Sequence, residues 1–202
     1  ELSPVTDNTL PRVVYINTLL SEGLLHDTWL YGVDAKKTLP TLIHPNELMD
    51  GAIVSGNCVS ACDKHTTYHH LNDPVIKELY RRHGKDLNFV GVVTTNLNTT
   101  LGDKLRSKDY ASKLANFIGA EGAIITEEGF GNPDTDLMML CKKIEEDGIK
   151  TVLITDEYAG QDGSSQSLAD ANNGGIKWYE KFHFWPNIFD LTEIYYRDKE
   201  LY

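Results

Sequence analysis

The densest run of reactive side chains is Gly56-Asn57-Cys58, followed by Cys62, His65, His69 and His70. Three chemistries fit these residue types. Cys58, Cys62, His65 and His69 offer two thiolates and two imidazoles, a donor set zinc accepts, although such close spacing would strain a tetrahedron. Cys58 and Cys62 could form a redox pair, but they stand one residue further apart than in the usual dithiol motif. The third is backbone chemistry. The Cys58 thiol, after a Gly-Asn pair on a strand-end loop, attacks the preceding carbonyl and forms a thioester. The peptide link breaks, and elimination at the former cysteine leaves dehydroalanine. Tautomerisation and loss of ammonia then give an N-terminal pyruvoyl group. Gly56 would allow the unusual backbone angles of the acyl shift, and His65, His69 or His70 would supply acid or base. The product is a ketone that condenses with amines. Spacing alone leaves all three open.

Other candidates lie elsewhere in the chain. His26 beside Asp27 reads as an oriented acid–base pair or as a local hydrogen bond. Glu127 and Glu128 stand at a predicted strand end, where they would hold a substrate ammonium or cap the following turn. Cys62 reads as a loop thiol near the reactive cysteine. Cys141, between Leu137 and Ile144 at helical spacing, reads as core packing. Asn132-Pro133-Asp134 reads as helix initiation.

These residues need a frame, and the apolar pattern predicts one. Arg12–Thr18, Phe89–Thr94, Gly122–Thr126 and Thr151–Thr155 are near-continuous apolar runs, as strands covered on both faces should be. Ala52–Ser55 is a shorter run entering the Gly56-Asn57-Cys58 loop. Helices are expected from Pro74 to Gly84, from Ser107 or Asp109 to Phe117, and from Asn132 or Asp134 through Gly148. Alternation of helix and strand implies an α/β fold, a Rossmann-like three-layer sandwich around a parallel sheet. Ligands would meet the loops at the carboxyl ends of its strands. Those loops are SGNCVSACDK, TTNLNTT, TEEGFGNPDTD and TDEYAGQDGSS. Residues 1–11 read as an irregular arm, 12–171 as the α/β domain, and 172–202 as an aromatic tail without apolar period.

Composition narrows the function. Among 202 residues, 19 Lys and Arg against 30 Asp and Glu leave a formal charge of −11. That balance opposes broad nucleic-acid or anionic-membrane binding, which need surplus cations. No run approaches the length of a membrane helix, and the first residues lack the pattern of a signal peptide. Three cysteines cannot all pair within one chain, which suggests a reducing, cytoplasmic setting. No G-x-G-x-x-G or P-loop pattern occurs, so no bound nucleotide is expected.

Long stretches resemble one family. LPRVVYINTLLSEGLLHDTWLYGVDAKK, MDGAIVSGNCVSACDKHTTYHHLNDPVIKELYRRHGKDLNFVGVV, TEEGFGNPDTDLMMLCKK and VLITDEYAGQDGSSQSLAD resemble the pyruvoyl-bearing proproteins of the Stickland amino-acid reductases. The family has a D-proline reductase branch and a component B branch serving glycine, sarcosine and betaine reductase. SACDK and DEYAGQDGSSQSLAD are expected to place the chain in the D-proline reductase branch. The resemblance implies cleavage before Cys58, which becomes the pyruvoyl group, with Gly56 and Asn57 forming the processing site. It further implies reductive C–N cleavage of a small amino acid. The substrate amine adds to the carbonyl, a selenolate displaces nitrogen at the α-carbon, and a dithiol recycles the selenium. The selenocysteine must come from a partner subunit, so a hetero-oligomer with the rest of the proprotein is expected, without resident metal. Only 57 residues precede Cys58, and the resemblance ends near Ala171, so the chain, which begins without Met, reads as a fragment. The rival from another class is an α/β binding module with a Cys/His zinc site.

Overall fold

The computed structural model describes residues 9–21, 27–56, 65–129 and 131–155, with the backbone of 177–180. Its first strand, β1 (Arg12–Leu20), is the predicted apolar run extended by two residues. Two short strands follow, β2 (Thr28–Leu30) and β3 (Val33–Asp34), then a 3-10 turn at Ala35–Lys37. After these come β4 (Thr41–Ile43), helix α1 (Pro45–Met49) and β5 (Ile53–Ser55). Helices α2 (Thr67–Leu71) and α3 (Pro74–Arg82) lead to β6 (Asn88–Leu97). The chain then alternates through α4 (Leu101–Phe117), β7 (Gly122–Thr126), α5 (Asn132–Glu146) and β8 (Lys150–Thr155). A short β9 (Lys177–Glu180) pairs with β8 inside the region read as a tail.

The main sheet has the order β4-β6-β1-β7-β8-β9. All of its neighbouring pairs are parallel except β4 with β6, which is antiparallel. The expected all-parallel sheet is therefore mixed, because β4 turns back along the edge of β6. Counting only the parallel strands in chain order gives 2-1-3-4-5, a doubly wound arrangement distinct from the Rossmann order. The second parallel strand lies on one side of β1 and the third on the other. Between β1 and β7 the winding reverses, and in such sheets the crevice beyond the strand ends at that reversal is where ligands bind.

Alternating side chains give the sheet two apolar faces. Val14, Ile16, Val93 and Ile125 pack against Ala111 and Ala115 of α4 and against Leu137, Cys141 and Ile144 of α5. Tyr15, Leu19, Phe89 and Val92 pack against Val75, Ile76 and Leu79 of α3, Leu48 of α1, and Leu30 and Ile53. Leu30 and Ile53 belong to a separate antiparallel sheet of order β3-β2-β5. The run entering Gly56 thus ends a strand of this small sheet, not of the main one as predicted.

Helix starts follow side-chain caps. Asp73 accepts from Ile76 N at 3.0 Å, and Pro74 fills the first turn of α3 where no amide donor is needed. Helix α4 starts earlier than predicted. Thr100 accepts from Asp103 N at 3.2 Å and so caps it, well upstream of Ser107 and Asp109. Helix α5 is entered from Gly131 at φ 79°, and Asp134 reaches back to accept from Gly131 N at 2.8 Å. Among the described residues no helix is long and apolar enough to cross a membrane.

Candidate functional site

Beyond the end of β7, beside the reversal point, three of the described candidate residues come together: His65, His70 and Glu128. β7 ends at Thr126 and hands the chain to Glu127 and Glu128, which are 2% and 1% exposed. Consecutive residues leaving a strand point apart, and these two part company. Glu127 shares a hydrogen bond with the Asp134 carboxyl at the start of α5, and burial raises the Asp134 pKa. Glu128 turns to the opposite sheet face and meets two histidines. Its Oε1 lies 3.4 Å from His70 Nε2 and 3.7 Å from His65 Nδ1. Its Oε2 accepts from the His65 backbone N–H at 3.3 Å. The His65 and His70 rings stand edge to face, 5.4 Å between centroids.

His69 has another task. Its Nδ1 accepts from Thr66 N at 3.1 Å and sits 3.2 Å from Thr66 Oγ1, closing the first turn of α2. His70 is fully buried, and desolvation, reinforced by the neighbouring His69, lowers its pKa to about 3. At neutral pH it is an uncharged imidazole, one ring nitrogen carrying a proton and the other a lone pair.

Tyr15 belongs to the site, and its place in an apolar strand hid it. Its hydroxyl donates to Asp73 Oδ2 at 3.0 Å and lies 2.9 Å from Thr126 Oγ1. Thr18 Oγ1 donates to the Thr126 carbonyl at 2.5 Å. These contacts tie the residue before Glu127 to the cap that follows α2, and so hold the carboxylate-bearing and imidazole-bearing segments in register. Burial, and the Asp73 charge beside it, push the Tyr15 pKa well above its ordinary value. Asp73 is itself pushed up to about 6 by burial. At the end of β1, buried Asn17 and Ser21 leave side-chain polar atoms without hydrogen-bond partners among the described residues. An unmatched buried polar group costs about 1–3 kcal/mol, so this end of the strand holds bonding capacity that a bound molecule could use.

Gly56 and His65 bracket the reactive segment. Thr67 Oγ1 donates to the Ser55 carbonyl at 3.1 Å and accepts from Ser55 N at 2.9 Å, clasping its two ends. Gly56 is not at positive φ. A Cβ there would press on Asp27, 3.3 Å from its Cβ, and touch Trp29, 3.4 Å from its Cζ3. Asn57, Cys58, Cys62 and His26 lie outside the described residues. Cys141 is buried in the core, 3.3 Å from Thr151 Oγ1.

The sequence pattern of the glycine/sarcosine/betaine reductase component B subunits matches residues 3–175. The chain belongs to that family. It is 65% identical over 163 residues to glycine reductase complex component B subunits alpha and beta of Acetoanaerobium sticklandii, covering 81% of this chain and 38% of that protein. It is 64% identical over 162 residues to sarcosine reductase complex component B subunit alpha of Peptoclostridium acidaminophilum, covering 80% and 38%. The D-proline reductase proprotein PrdA of Acetoanaerobium sticklandii is 26% identical over 152 residues, covering 70% and 24%. These identities overturn the D-proline branch: two short peptides were weighed there against agreement across the whole component B match. The component B chain described here thus spans 38% of the length of the glycine and sarcosine reductase relatives. No solved structure matches it.

Proposed function

We propose that this chain works within component B of a glycine reductase-type complex, which cleaves a C–N bond of an amino acid, and that Cys58 is the precursor of its reactive carbonyl. The observation that carries this reading is the family match over residues 3–175, which contains Gly56-Asn57-Cys58. Identities of 65% and 64% to glycine and sarcosine reductase relatives favour glycine, with or without an N-methyl group, as the substrate class. One relative carries subunits alpha and beta under a single name, which accords with a precursor cut in two. The missing selenocysteine assigns the displacement step to a partner subunit, in a complex with the rest of the proprotein.

A pyruvoyl group supplies an electrophilic carbonyl to which a substrate amine adds. The described surroundings suit such a group. The Ser55–Thr67 clasp presents both ends of the segment beside the buried His65–His70–Glu128 group. Burial strengthens every charge contact made there. His69 supports the site by fixing the first turn of α2, and Glu127 by bracing α5 through Asp134.

Intact-mass measurement of freshly purified protein tests the reading. The expected result is a break before Cys58 that divides this chain into pieces of roughly 6 and 16 kDa by residue proportion. The larger piece should resist Edman degradation and react with hydrazines, and Cys58→Ala should abolish the cut. An unbroken Asn57–Cys58 link with a free thiol, in material isolated with its companion subunits, overturns the proposal.

A further inference from the structure

His65, His70 and Glu128 meet from two segments: α2 with the residue entering it, and the turn leaving β7. Their ligating atoms all lie within 4.8 Å of one another. Donor atoms around a tetrahedral ion with bonds of about 2.1 Å stand about 3.4 Å apart. The Glu128 Oε1 separations are 3.4 Å to His70 Nε2 and 3.7 Å to His65 Nδ1. Neither ring nitrogen of His70 makes a hydrogen bond among the described residues, although the side chain is fully buried. A buried imidazole without a hydrogen-bonding partner, aimed at a buried carboxylate, is the pattern left when a bound ion supplies the missing bond. The Tyr15–Asp73–Thr126 contacts tie the end of β7, two residues before Glu128, to the residue three after His70.

We propose that His65, His70 and Glu128 bind a divalent transition-metal ion, with zinc as the ion best matched to two imidazoles and one carboxylate. Three protein donors leave one tetrahedral position for water or a substrate oxygen, the arrangement of a polarising site. The site departs from the metal-free expectation of the sequence. It differs as well from the Cys58, Cys62, His65 and His69 set weighed there, because Glu128 and His70 replace both thiols and His69. It stands whether or not Cys58 is processed.

The test is metal content by mass spectrometry of the full chain after incubation with Zn2+ and exhaustive dialysis. About one ion per chain is expected. Glu128→Gln, which keeps shape and loses charge, and His65→Ala should each lower the content at least tenfold, with circular dichroism reporting that the fold persists. Cys58→Ala should bind zinc as the parent does, which separates this claim from the processing claim. A folded parent without bound zinc, or variants of His65 and Glu128 that bind it undiminished, overturns the proposal. Loss of the ion in Cys58→Ala overturns it in favour of the thiolate set.

Discussion

Asp73 should make the stability of this chain depend on pH in a direction opposite to that of most carboxylates. It is buried, caps α3 and takes the Tyr15 hydrogen bond. Burial lifts its pKa from the ordinary 3.8 to about 6. A folded state whose carboxyl has the higher pKa binds a proton more tightly than the unfolded chain does. Its contribution is therefore fully present below about pH 4 and is lost as pH rises through about 6. At about 1.4 kcal/mol per pH unit, the displacement from 3.8 to about 6 amounts to about 3 kcal/mol. Asp73→Asn removes the titration and keeps a good cap, since asparagine also accepts from the N3 amide. Urea denaturation of parent and variant from pH 4.5 to 7.5 measures the difference. The variant should gain on the parent by about 2 kcal/mol across that window, nearly all of it below pH 6.5. Parallel stability curves for the two proteins would refute the buried-carboxyl argument.

Further outcomes follow from the same contacts. Tyr15→Phe should cost about 1–3 kcal/mol, more above pH 6 where ionised Asp73 loses its donor, measured by the same denaturation series. Lys104 and Asp136 form a buried ion pair supported by Asn98, whose side chain donates to Asp136 Oδ1 at 3.2 Å. Lys104→Met leaves that carboxylate uncompensated and should cost about 3–5 kcal/mol in chemical denaturation, with most of the loss recovered in the Lys104→Met/Asp136→Leu double variant. Gly119 ends α4 at φ 69°, with the Arg12 guanidinium 3.1 Å from where a Cβ would sit. Gly119→Ala should lower stability by about 1 kcal/mol, read as a drop in Tm.

The parts of the fold legible in sequence were those where one local signal dominates. β1 and β7 are unbroken apolar runs, and Asn72-Asp73-Pro74 announces α3 through a cap and a proline. Of the small β3-β2-β5 sheet only β5 is legible, as the apolar run at Ala52–Ser55; β2 and β3, at three and two residues, are too short for any period to emerge. The start of α4 was missed because Leu101 and Leu105 face solvent at 64% and 41% exposure, which blurs its apolar stripe. In the site, His65 and His70 drew attention by chemistry, but Glu127 and Glu128 were indistinguishable as neighbours. Only the alternation of side chains leaving β7 separates the residue that meets the histidines from the one that meets α5. Tyr15 offered no signal, since a tyrosine among valines and isoleucines reads as packing until its hydroxyl is seen to have partners.

The position of β1 bears on what a broken chain would be. This strand precedes residue 58, yet it lies between β6 and β7, both of which follow it. Val14, Tyr15, Ile16 and Leu19 are all at most 1% exposed in that central place. Scission before Cys58 would therefore leave two polypeptides interlocked through a shared interior, an obligate pair that only denaturant could part.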